Sequence, residues 1–112
     1  ALEVLQKAKN LFIPAIVYGE LYYGFRCGAR FTENLRRLDR FLEEFGVEII
    51  DVNREVARDF GDIYASLRNK GRPIPTNDIW ISACCMSVGG TLLTADKHFN
   101  DVGQIQVQII PC

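Results

Sequence analysis

Three carboxylates stand where phosphate chemistry could be built: Glu20 in VYGELYYG, Asp78 in PTNDIW and Asp96 in LLTADKHF. Carboxylates brought together repel one another unless protons or cations neutralise them. A hard divalent cation takes oxygen ligands, so Mg2+ or Mn2+ would make such a cluster favourable. An ion of that kind polarises phosphoryl oxygens and activates water for in-line attack on a phosphodiester. Taken singly, each carboxylate also has a plainer account. Glu20 sits on a mostly apolar helix and is costly to bury alone, which suits a solvated helix margin. Asp78 in the first turn of a helix gains about 0.3–1 kcal/mol from the helix dipole. Asp96 is a good turn residue in its own right.

The elements that must position them follow from periodicity. ALEVLQKAKN reads as a helix and LFIP, residues 11–14, as a short buried strand stopped by Pro14. From Ile16 the apolar spacing turns helical, with Gly28 as its stop. Thr32 is the expected N-cap of a helix whose stripe is Leu35, Leu38, Phe41, Leu42 and Phe45. VEIIDV is strand-like. Asn53 caps a further helix with the stripe Val56, Phe60, Ile63, Tyr64 and Leu67, ended by Gly71. Thr76 or Asn77 is the expected cap of the helix running to Val88. TLLT and IQVQII are two more strands, separated by the polar turn ADKHFNDVG. Strands separated by helices predict an α/β domain with a mainly parallel sheet. Ligand sites in such sheets lie beyond the carboxyl ends of strands. Glu20 follows the LFIP strand, Asp78 opens the helix before TLLT, and Asp96 follows TLLT.

The composition limits the alternatives. The 112 residues suit one domain, and a net charge of −1 argues against coating nucleic acid through the overall field. No apolar run approaches the roughly 20 residues of a membrane span. Four cysteines and a single histidine, His98, form no zinc spacing. Adjacent Cys84 and Cys85 read as small helix residues in a reducing, cytoplasmic setting.

IPAIVYGELYYG, GRPIPTNDIWISA and LLTADKHF, in that order, resemble the PIN-domain family, and within it the VapC-type toxins of bacterial and archaeal toxin–antitoxin pairs. The likeness runs from about Leu11 to Ile110. It implies a three-layer α/β/α fold and a Mg2+-dependent endoribonuclease of a type II toxin–antitoxin pair. Asp78 and Asp96 would hold the metal, and Glu20 would bind it or act as base. Thr94 corresponds to a hydroxyl near the acidic pocket. The resemblance further implies an RNA substrate, a cognate antitoxin protein, a homodimer and no membrane association.

Family members begin with a strand ending in Asp-Thr or Asp-Ser, for which this sequence has no match. The expectation is therefore a single PIN-like domain over 1–112 that lacks its first strand, binds metal poorly and cleaves little by itself. The alternative is a catalytically incomplete module that binds antitoxin or RNA without cleavage. A receiver-type phosphoacceptor is a weaker third reading, because no Asp ends an early strand.

Four cations are candidates for RNA phosphates: Arg68, Lys70 and Arg72 before the IPTND loop, and Lys97 beside Asp96. For the first three, a solvated helix end is an equal reading. His98 is read as structural. Arg26 and Arg30 are read as solvated, and Trp80 as a core or dimer contact. Tyr18, Tyr22 and Tyr23 wrap too widely round one helix for all to be core, so some of them suit a partner protein.

Overall fold

The computed structural model describes residues 10–110, so the helix expected over ALEVLQKAKN lies almost wholly outside the described residues. Two compact units result, one running to Ile50 and the other beginning at Asp51.

In the first unit, β1 (Phe12–Pro14) passes directly into α1 (Ala15–Cys27). Pro14 makes this junction: its φ of −62° and extended ψ close the strand, and it leads the helix without a side-chain cap. The helix ends at Gly28, as its sequence suggested, with the Gly28 N–H donating to the Phe25 carbonyl at 3.1 Å. α2 (Phe31–Glu44) begins earlier than expected, so Thr32 is not its cap. The helix is launched from the Arg30 carbonyl, which accepts from Asn34 N at 2.9 Å. Phe31 is drawn into the helix by its edge-on contact with Tyr22, at 5.2 Å between ring centres. Gly46, at φ +61°, turns the chain into β2 (Glu48–Ile50). β1 and β2 pair in parallel with Ile13 opposite Ile49. No described residue of this unit is fully buried, and Phe12, Leu21, Tyr22 and Ile49 are all exposed.

The second unit holds the buried core. Asn53 caps α3 (Arg54–Lys70) as expected, its Oδ1 accepting from Val56 N at 3.0 Å. Gly71 closes that helix in the left-handed region at φ +66°, where a side chain would be strained. Val56, Ile63 and Leu67 are buried, whereas Tyr64 is 46 % exposed. At about 100° per residue, position 64 lies at the margin of the face that 56, 63 and 67 share.

α4 (Thr76–Ser87) buries Ile79, Ile81, Ser82, Ala83, Cys84 and Cys85, which leaves it little outer face. The Ser82 hydroxyl is satisfied by donating to the Asp78 carbonyl at 2.8 Å. Neither Thr76 nor Asn77 caps this helix. Pro75 holds the cap position, and its carbonyl accepts from both Asp78 N and Ile79 N at 3.0 and 3.2 Å. α3 and α4 pack together, and Phe60 stacks on Trp80 at 3.8 Å with 17° between the ring planes. Gly89, at φ +61°, reverses the chain into β3 (Thr91–Thr94). A 3₁₀ turn over Lys97–Asp101 follows, then β4 (Gln106–Ile109), parallel to β3 with Leu92 opposite Val107. All four described strands therefore pair in parallel, as two separate two-stranded sheets. Among the described residues no helix is long and apolar enough to cross a membrane.

Candidate active site

Asp78 occupies the third position of α4, in the turn where backbone N–H groups lack intrahelical partners. Asp96 lies two residues past the end of β3. The reversal at Val88–Gly90 is tight: Gly89 N donates to the Met86 carbonyl and Gly90 N to the Cys85 carbonyl, at 3.1 and 3.2 Å. α4 advances about 14 Å from Asp78 to Ser87. β3 and its extension return about 17 Å from Thr91 to Asp96. Asp78 thus stands at the start of α4 and Asp96 just beyond the carboxyl end of β3, a parallel strand, which is where ligand sites of such sheets lie. Glu20 belongs to the first unit and is exposed on α1.

Asp96 is held by its own turn. Its backbone N–H donates to Thr94 Oγ1 at 3.1 Å, so the Thr94 hydroxyl anchors the loop that carries the carboxylate. Asp96 Oδ1 accepts from His98 N at 2.8 Å and pairs with His98 Nδ1 at 3.1 Å. That leaves Oδ2 without a hydrogen bond among the described residues. Its side chain is 44 % exposed. Carboxylate oxygens at this end suit a hard divalent cation better than zinc. Among the described residues, no three His, Cys, Asp or Glu side chains form a metal-binding group.

The basic candidates divide. Lys70 Nζ donates to the Asp101 carbonyl at 3.4 Å, and Arg72 Nη1 pairs with Asp101 Oδ1 at 3.2 Å. The Arg72–Asp101 pair is largely solvated and adds little stability, but it commits both cations to the 3₁₀ turn. Asp101 was not legible as their partner, since it lies 29 residues from Arg72. Arg68 makes no ion pair among the described residues, and Lys97 is exposed. Arg26 covers the Phe31 ring at 5.0 Å, and Trp80 is occupied by Phe60. In the first unit, the hydrogen bond from Tyr18 to Asp39 is the main reason its phenol titrates above the ordinary value.

Cys84 and Cys85 are free and buried, and burial pushes both thiols up. Cys85 Sγ also donates to the Gly90 carbonyl at 3.2 Å. Because the thiolate is the reacting form, iodoacetamide at neutral pH should label exposed Cys27 in the folded protein. It should reach Cys84 and Cys85 only in denaturant. Peptide mass mapping before and after unfolding reads this directly, and equal labelling of all three in the native state would contradict the buried α4.

The pattern defining the PIN domain family matches residues 1–105. Ribonuclease VapC2 of Rickettsia felis is 33 % identical over 102 residues, covering 90 % of this chain and 75 % of that protein. Ribonuclease VapC1 of Haemophilus influenzae strain R2866 is 27 % identical over 100 residues, covering 88 % and 73 %. Two solved structures share the fold. VapBC2 from Rickettsia felis, bound to a DNA fragment from its promoter, superposes with a TM-score of 0.85 at 30 % identity, covering 96 % of this chain and 80 % of that one. VapBC-1 from nontypeable Haemophilus influenzae gives 0.86 at 25 % identity, covering 96 % and 82 %. Asp78 at a helix start and Asp96 past a parallel strand thus sit within a pattern that spans nearly the whole sequence, and the chain belongs to the PIN domain family.

Proposed function

We propose that this chain is the ribonuclease toxin of a type II toxin–antitoxin pair, an endoribonuclease that hydrolyses RNA phosphodiesters with Mg2+, Mn2+ being able to substitute. Its relatives named Ribonuclease VapC and its structural neighbours solved as VapBC support that reading. The observation that carries it is the PIN domain pattern over residues 1–105, within which Asp78 opens α4 and Asp96 follows β3.

In this reading Asp78 and Asp96 would hold the cation, and Glu20 keeps the role that the family resemblance implies for it, a further ligand or a base. When bound, the ion polarises the scissile phosphate and lowers the pKa of its water. The chain's own contribution is placement. Thr94 Oγ1 fixes the Asp96 backbone, and the His98 N–H holds Oδ1, leaving Oδ2 without a hydrogen bond among the described residues. Lys97 and Arg68 are free to meet RNA phosphates, whereas Lys70 and Arg72 brace the turn. The partners are a cognate antitoxin and a second copy of the toxin, in the cytoplasm.

A second reading is a PIN module that binds antitoxin or RNA without cutting. It follows from the family's first-strand Asp-Thr or Asp-Ser word, which has no match in these 112 residues. Incubating the intact protein, free of antitoxin, with single-stranded RNA separates the two. Cleavage in Mg2+ that stops in EDTA is expected. RNA retained intact in Mg2+ would favour the second reading.

A further inference from the structure

The second unit carries a groove of about 290 Å3 between the end of α3 and the start of α4, lined by Tyr64, Leu67, Arg68, Pro73, Ile74 and Ile79. Its volume falls just below the about 300–1,000 Å3 usual for ligand sites, which suits one planar ring better than a run of side chains. Ile79 and Leu67 are buried and give an apolar lining, while Tyr64 is exposed. The Tyr64 ring is fixed in place: it meets Phe60 edge-on at 5.7 Å, and Phe60 in turn stacks on Trp80. Arg68 lies one turn beyond Tyr64 on α3 and has no ion-pair partner among the described residues, unlike Arg72. The groove thus combines a held aromatic face, an apolar lining and an uncommitted guanidinium. Ile79 follows Asp78 directly in α4.

We infer that this groove seats one base of a single-stranded RNA, with Tyr64 as its stacking face and Arg68 meeting the adjacent phosphate. Base stacking on an aromatic side chain tolerates any base. A seat beside Asp78 would therefore set the position of the strand along the site. The inference rests on the ribonuclease reading for its substrate class, but its test does not depend on cleavage.

The test is fluorescence anisotropy of a labelled single-stranded RNA on the intact protein in EDTA, with a set of RNAs each carrying one abasic position. Tyr64→Ala and Arg68→Ala should each weaken binding about 10-fold. Tyr64→Phe, which keeps the ring, should bind as wild type. Tyr64→Leu, which keeps apolar cover and guards against a folding artefact, should lose as much as Tyr64→Ala. One abasic position should weaken wild type but not Tyr64→Ala, because both changes remove the same stack. Unchanged affinity in Tyr64→Ala and Tyr64→Leu would overturn the inference. So would losses in self-association or antitoxin capture without a loss in RNA affinity, since the groove would then be a protein interface. Mg2+-dependent cleavage without any Tyr64 effect defeats the groove alone. Tyr64-dependent binding without cleavage in Mg2+ defeats the ribonuclease reading alone.

Discussion

Asp96→Asn is expected to lower Mg2+-dependent RNA cleavage by more than about 100-fold, because loss of an outer-shell partner of a metal site already costs about 10–100-fold. Folding should scarcely change. Asn accepts hydrogen bonds at a cap nearly as well as Asp, so the bond from His98 N and the 3₁₀ turn it starts should persist. Asp78→Asn should behave alike: it gives up about 0.3–1 kcal/mol of helix-dipole stabilisation and most of the activity. Cleavage rates measured beside thermal unfolding separate charge from structure. Wild-type cleavage in both variants would remove these carboxylates from the proposed site. Lost cleavage accompanied by lost folding would assign them to the scaffold.

The largest expected effect on stability lies in α3. Ile63 is completely shielded, and Ile63→Ala should destabilise the second unit by about 2–5 kcal/mol through lost transfer energy and the cavity left behind. Domains are stable by only about 5–15 kcal/mol, so such a loss would leave little margin. Ile49→Ala in β2, where the side chain is 43 % exposed, should cost less than about 1.5 kcal/mol. Urea unfolding followed through Trp80, the single tryptophan, reports the second unit through its stack on Phe60. Equal shifts in the two variants would show that burial in the second unit does not govern its unfolding.

Much of this molecule was legible in its residues. Proline and glycine mark element ends through their own backbone limits, so Pro14, Gly28, Gly71 and Gly89 placed boundaries without tertiary information. Asn53 announced a helix because its side chain reaches a backbone N–H three residues on. The caps at Thr32, Thr76 and Asn77 were misplaced because a favourable residue type does not decide which carbonyl opens the helix. A ring contact to Tyr22 did so at Phe31, and the Pro75 carbonyl did so for α4.

The sequence by itself determined the family, the α/β alternation and the placement of Asp78 and Asp96 near strand and helix ends, since all of these follow from local periodicity and from words of adjacent residues. Only the tertiary structure decided what meets across distance. Lys70 and Arg72 belong to Asp101, Tyr64 stands at a groove instead of in the core, and the Thr94 hydroxyl anchors the Asp96 loop. A side chain's partner depends on how helices pack and how strands reverse. That packing is set by the summed burial of many residues, which no single spacing records.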